Sequence, residues 1–553
     1  MASEVANYKK APGDFVKWRG DHPQFDPASL PLIQSRTHIL EFALKGISAK
    51  AREVISMIVG FRMPASYASL EALLVGRNKT CQSTRELDHA LTELEDRGLI
   101  GWDREANRYD AHPIVRGVVW KLTETQNQRA VYAALEAHFE PMTVPDSVET
   151  LAELAPAIER YHTLLGLGRY DDAVNLFWDR LDHPTLFRLA AHRERISWLE
   201  RLFPDGIERL PALTKDRDKH AAMDGLAQSY QLSGQPGRAA RLYKSAIEVS
   251  SPKSTRKNAY ITNLGTAYFE MGALCEADHV LRQSLVANQR DEENHRDEKD
   301  YVKAATLAHL GRLLTIIGNK SLSLAALIRS KRFFIDEENI GAEAFVDLYL
   351  ADHALQFGSA DNGLLLSQTW KHEEAVKDEG YSSKIALLRG QFARIRGEFA
   401  QADEYLHQAL SRARAVNITD FELQTLLAIA ELELQRGRPI VARDRLSDVW
   451  EPVERGPYPL HKADAYNVLA AITLAEGDKL GSIEAAVCAY KIAWCDGPPY
   501  AYYQGLQKAK ARLAILAAPE PEMPPFDFGK FGPLPKVEIN PMDQNWVDPD
   551  KLS

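Results

Sequence analysis

The residues with the strongest intrinsic chemistry are scattered along this chain. It has 16 histidines and four cysteines, Cys81, Cys275, Cys488 and Cys495. None forms H-E-x-x-H or a Cys/His cluster at zinc spacing. Cys488 and Cys495 can share a helix face, which suits core packing better than redox chemistry. His372-Glu373-Glu374 reads as a solvated helix face. No Gly-x-Ser-x-Gly elbow is present. No G-x-x-x-x-G-K-[ST] phosphate loop is present either: GLGRYDDA, GRNKTCQST and GDKLGS each lack the Gly-Lys-Ser/Thr end. The chain on its own is therefore expected to be no enzyme, to hold no metal and to hydrolyse no ATP. Its chemistry is non-covalent recognition.

Recognition needs a surface, and the sequence builds one by repetition. A helix, a Gly-containing turn and a second helix recur, most clearly in LAQSYQLSGQPGRAARLYKSAIE (226–248) and RGQFARIRGEFAQADEYLHQAL (389–410). The turn glycines are Gly168, Gly234, Gly272, Gly318, Gly358, Gly397, Gly437 and Gly477, with successive differences of 66, 38, 46, 40, 39, 40 and 40. Glycine accepts the left-handed conformation that ends a helix. Gly265, Gly311, Gly390, Ala430 and Ala470 allow close approach from the first helix, and Ala239, Ala277, Ala402 and Ala442 from the second. Each hairpin leaves a face that must stack on its neighbour, which predicts an all-α solenoid with a concave inner surface. Counting from the strongest copies places Asp224, Gln228, Thr262, Thr266, Arg312, Asp352, Gln391, Arg394, Glu431 and Asn467 on that surface. Their mixed polarity points to a protein or peptide partner.

Residues 47–122 follow a different plan. ISAKAREVISMIVGF is an amphipathic helix with Ser48 as its cap, SYASLEALLV a second helix, and STRELDHALTELEDRGLI a third with Leu87, Leu91 and Leu94 on one stripe. Gly98 ends it. IGWDREANRYDAH then gives two strands around a turn at Asn107, and HPIVRGVVWKLT restarts a helix. This order is a winged helix. Its third helix carries Glu86, Asp88, Glu93, Glu95 and Asp96 against Arg85 and Arg97, so phosphate repels it and DNA is a disfavoured partner.

The Small–aromatic–Gly–Ala pattern resembles the tetratricopeptide repeat family over about 151–516, with units near 40 residues rather than ~34. Such long units look like the repeats of large bacterial regulatory ATPases. The segments LTELEDRGLIGWD (91–103) and RYDAHPIVR (108–116) resemble the winged helix of STAND ATPases (signal-transduction ATPases with numerous domains). In that family the block follows a nucleotide-binding core and precedes a repeat sensor. The resemblance implies that residues 1–46 are a linking segment and that the array runs over 123–516. It also implies that His112, in Asp110-Ala111-His112-Pro113, senses bound ADP. Pro113 replaces the family's Asp, and a capping role for His112 is the alternative. ATP or ADP would be a cofactor only with an upstream or partner ATPase core. The resemblance implies a sensor that binds protein or peptide and relays to such a core, with self-association also open. A winged-helix transcriptional regulator and a free-standing scaffold are the alternative functions.

The bulk properties agree. Lys and Arg total 67 and Asp and Glu 77 in 553 residues, a net charge of −10, which disfavours polyanions and anionic membranes. Few cysteines, no apolar run of ~18–20 residues and no signal-like start predict a cytoplasmic chain. Eight of the 28 prolines fall in 519–553. This tail (517–553) carries Phe526, Phe528, Phe531 and Trp546, which predicts that it lies against the last repeats with its aromatics as anchors.

Overall fold

The computed structural model describes residues 46–539 apart from 144, 146–147, 190, 251–254, 290–295, 359–375, 377–378 and 538, together with positions 10, 17 and 44. The chain divides into two compact units, Met1–Pro184 and Thr185–Ser553.

In the first unit, α1 (Ala49–Gly60) begins at Ser48, whose Oγ accepts from the Ala51 amide at 3.2 Å. The Ser48 amide and hydroxyl in turn donate to Glu93 at 2.9 and 2.7 Å. The chain continues through β1 (Ala65–Ser66), α2 (Tyr67–Leu74), α3 (Thr84–Asp96), β2 (Gly101–Asp103), β3 (Arg108–Asp110) and α4 (Pro113–Leu122). Leu87, Leu91 and Leu94 are buried, as an apolar stripe requires. The sheet is antiparallel in the order β1-β3-β2. A hairpin was expected here, and β1 is an additional strand, two residues long and so too short to show alternation. Trp102 pairs with Tyr109 across the hairpin and their rings stack with centroids 5.8 Å apart.

The next helices belong to this same unit. In α5 (Thr125–Phe139), Leu135 and Phe139 join the core of the N-terminal helices. Gly60 makes room for this, since a Cβ there would lie 2.6 Å from Val131. α6 (Ala155–Gly166) and α7 (Tyr170–Leu176) form a hairpin about Gly168. The array expected from 123 onward therefore starts with elements that complete the N-terminal unit. Buried Glu159 on α6 ties them together by accepting from the Arg62 amide at 2.9 Å and the Met63 amide at 2.6 Å. Burial pushes its carboxyl up to about 7, against the pull of those amides and of Arg116.

The second unit is an all-α, tetratricopeptide-like solenoid. After α8 (His192–Leu199) come the hairpins α9/α10 (Asp216–Leu232, Pro236–Val249), α11/α12 (Thr255–Glu270, Leu274–Gln289) and α13/α14 (Arg296–Ile316, Lys320–Asp336). Then come α15 (Ile340–Phe357), with the second helix expected after Gly358 falling outside the described residues, and α16/α17 (Glu379–Ile395, Phe399–Ala415). The hairpins α18/α19 (Thr419–Gln435, Pro439–Arg455) and α20/α21 (Pro459–Ala475, Lys479–Ala493) and the single α22 (Tyr503–Ile515) complete it. Every turn glycine of the ruler has φ between +64° and +88°, which L side chains resist. At Gly390 a Cβ would lie 2.6 Å from Leu406, so the two helices can approach only because that residue is small.

The turns of the first three hairpins pack against the loops that lead into α20 and α22. Gly234 lies under Tyr458, Gly272 under Pro459 and Gly318 under Tyr503, each too close for a Cβ. The Cys275 amide donates to Asp496 at 3.0 Å, and the Tyr500 hydroxyl donates to Asp278 at 2.8 Å. The solenoid thus closes on itself along a seam. The tail reinforces it: Phe526 packs on Tyr500 (5.2 Å) and stacks on Phe531 (5.4 Å), in one cluster with Leu274, Leu307 and Ile539. The Trp494 indole donates to the Pro524 carbonyl at 2.9 Å. The tail therefore touches the second and third hairpins as well as the last ones. Phe528, expected as an anchor, is 75% exposed and meets only the edge of the cluster, its ring 4.8 Å from that of Phe526. Trp546 lies outside the described residues.

Candidate functional site

First helices of successive hairpins carry polar side chains that link neighbouring hairpins about 40 residues apart, on the face expected to be the inner one. Asn263 donates to Asp224 at 3.2 Å. Gln231 bridges Thr266 (3.0 Å) and Glu270 (2.8 Å). Arg312 lies over the rings of Phe269 and Tyr349 at 4.6 and 5.4 Å. Lys384 pairs with Asp352 at 3.0 Å and donates to Gln424 at 2.7 Å. Gln424 donates to Asp420 (2.8 Å), which pairs with His461 at 2.5 Å. Arg394 and Lys508 both reach Glu431, at 2.8 and 3.0 Å.

These groups perturb one another. Burial pushes the Glu270 carboxyl up to about 8 and the charge of Asp420 adds to the shift, while Gln231 and Arg312 oppose it. Burial also works against Asp420, but His461, Arg312 and Lys384 outweigh it and hold that carboxyl well below the usual range. Glu431 is lowered in the same way by Lys508 and Arg394. Its attraction raises Lys508 in return. Two acids thus sit on opposite sides of neutrality, Glu270 raised by burial and Asp420 lowered by its cationic neighbours.

Of the ten residues expected on this surface, Asp224, Thr266, Arg312, Asp352, Arg394 and Glu431 belong to this polar ladder. Gln228 is exposed and Gln391 half-buried. Thr262 is a correction. It is 4% exposed, and its hydroxyl lies 3.0 Å from Ser284 and 2.7 Å from Thr306. It sits where α11 meets its neighbours, so the inner face is narrower than counting suggested. Asn467 is also buried; its Nδ2 donates to the Gly505 carbonyl at 2.9 Å while its Oδ1 is buried without a partner. Glu270, Lys384, Asp420, His461 and Lys508 were missed. The available signal was pairing at one repeat length, as in Lys384 with Gln424 and Asp420 with His461.

At the C-terminal end the inner face opens into a cavity of about 300 Å³ lined by Glu431, Leu434, Asn467, Val468, Ala471, Lys508, Ala511, Arg512 and Ile515. The Arg512 side chain makes no hydrogen bond or ion pair among the described residues, and burial draws its pKa down. Leu434, Val468, Ala471, Ala511 and Ile515 give the cavity apolar walls, beside the Lys508–Glu431 pair and the Arg512 side chain. In the first unit, His112 is exposed; its Nδ1 accepts from the Ile114 amide at 3.3 Å and caps α4.

No family model and no curated protein matches the sequence. Among solved structures, the neighbours are tetratricopeptide repeat proteins. A STAND protein with a tetratricopeptide repeat sensor from Pyrococcus horikoshii is 15% identical, with a TM-score of 0.37 over 89% of this chain and 71% of that one. A Rap protein complexed with Competence and Sporulation Factor is 14% identical, with a TM-score of 0.41 over 71% and 94%. A tetratricopeptide repeat protein from Parabacteroides merdae is 16% identical, with a TM-score of 0.32 over 53% and 98%. No described helix is long and apolar enough to cross a membrane.

Proposed function

We propose that this chain is a protein-binding sensor of STAND type, whose repeat array captures a peptide segment and whose N-terminal winged helix relays that event to an ATPase core. The observation that carries the binding half is the cavity beside Arg512. Elsewhere the inner-face charges are largely satisfied by each other, so they contribute shape more than affinity. An unpaired, partly desolvated arginine gains a full charge-assisted hydrogen bond when an acid arrives. The ligand class is a peptide with an acidic group next to an aliphatic side chain. The relay half rests on the sequence resemblance. Binding would shift a two-state equilibrium only as far as the two states differ in affinity. In that setting His112 would offer only Nε2 to a nucleotide, because Nδ1 caps α4.

DNA fits poorly. The acidic residues of α3 are tied into the fold, Glu86 to Lys50 at 2.6 Å and Asp88 to the Tyr67 hydroxyl at 2.7 Å. The test is selection of a random peptide library on the immobilised full chain. Peptides with an acidic residue beside an aliphatic one should be enriched by wild type and not by Arg512→Glu. No enrichment, or enrichment indifferent to that variant, refutes the reading.

A further inference from the structure

The seam shows what one edge of this solenoid packs against, and the same edge continues uncovered. Cys275 lies three residues after its turn glycine and is buried beneath the loop that carries Asp496. Ile440 and Leu480 hold the same place in the sixth and seventh hairpins, yet they are 78% and 68% exposed. Ile316 lies two residues before its turn glycine and packs against the apolar cluster of α20–α22. Ile395 is its counterpart before Gly397, as is Ile515 before Ala517, whose φ is +51°; these two isoleucines are 58% and 71% exposed. Nothing would meet a Cβ at Gly397, Gly437 or Gly477, whereas Gly234, Gly272 and Gly318 are covered. Along this edge the apolar side chains beside the turn glycines are covered where the seam runs, at Cys275 and Ile316, and open at Ile395, Ile440 and Leu480.

We propose that this open turn edge docks the loop edge of a second copy of the chain, continuing the packing that the seam makes within one copy. The covering elements in the seam are the starts of first helices, Tyr458-Pro459 of α20 and Tyr502-Tyr503 of α22. The chain has another such start available. Ile340, first in α15, holds the place of Pro459 and is 49% exposed; Phe345, on the same helix, is 43% exposed. One copy offers Ile440 and Leu480, and the other receives them at Ile340 and Phe345. The two surfaces differ, so the contact is heterologous and leaves one free face on each end. Ile395, Ile440 and Leu480 thus leave large aliphatic surface open along this edge, and exposed apolar surface of this kind marks an interaction site.

The test is the mass of the full chain by light scattering over a concentration series. Wild type should grow in mass with concentration. Ile440→Asp/Leu480→Asp and Ile340→Asp should each remain monomeric at concentrations at least about tenfold higher. An equimolar mixture of the two variants should form a dimer and nothing larger, because each retains one intact face. The sites are exposed, so circular dichroism of both variants should match wild type; if the double variant misfolds, Leu480→Ser carries the same test. A monomeric wild type at every concentration overturns the proposal. So do folded edge variants that associate like wild type, or a mixture that stays monomeric.

Discussion

Glu270 offers the sharpest quantitative test of the inner face. Its carboxyl is pushed from an ordinary 4.5 to about 8. A proton is therefore held more tightly by the folded state. Stability from this group is complete below about pH 4.5 and is lost as pH rises through 8. The full shift of 8 − 4.5 = 3.5 units corresponds to roughly 4.8 kcal/mol at about 1.36 kcal/mol per unit. Glu270 retains some solvent contact, and relaxation toward water reduces the expected effect to about 1–3 kcal/mol. Glu270→Gln keeps an oxygen that accepts from Gln231 and removes the charge beside Asp420. Glu159 also titrates near neutrality, so the difference between variant and wild type is the quantity to follow. Urea unfolding at pH 5 and pH 9 measures it. The variant should match wild type within about 0.5 kcal/mol at pH 5 and exceed it by about 1–3 kcal/mol at pH 9. Equal destabilisation at both pH values would refute the electrostatic reasoning and make Glu270 a packing residue.

Other expectations follow from packing. Gly390→Ala places a methyl 2.6 Å from Leu406; overpacking should cost about 1–3 kcal/mol in urea unfolding, against a helix-propensity gain of about 1. Ending the chain at residue 518 removes Phe526 and Phe531 from the seam, so the melting temperature should fall; an unchanged one contradicts the anchoring seen here. Phe526→Ala alone should cost about 2–4 kcal/mol by the same assay.

Much of this architecture was legible because it repeats. A glycine that must adopt positive φ recurs at a fixed place in each hairpin, and close-packed helices force Gly265, Gly311 and Gly390 to be small. The order of three helices and a hairpin at 47–122 was readable from caps and the Leu87–Leu94 stripe, but β1 is too short to leave a pattern. The seam left no trace because it joins residues 221 and 222 positions apart, and no periodicity constrains such pairs. Of the inner face, the helices were identified but not the rotation of each residue, so Thr262 was placed on a surface it does not reach. Glu270 and Lys508 escaped because a charged side chain in one helix looks solvated until the next hairpin supplies its partner. The cavity at Arg512 depends on what is absent opposite that arginine, which only the folded chain reveals.

Peptide binding at the cavity of the last repeats is the property on which the proposed function depends. A photo-crosslinking residue at Ala471, which lines the cavity, measures this most directly when the library-selected acidic peptide is added to the full chain. The account predicts a crosslink from position 471 that disappears in Arg512→Glu and is absent from a crosslinker at Arg412 on α17. Crosslinking that survives Arg512→Glu, or that arises from position 412 alone, would contradict it.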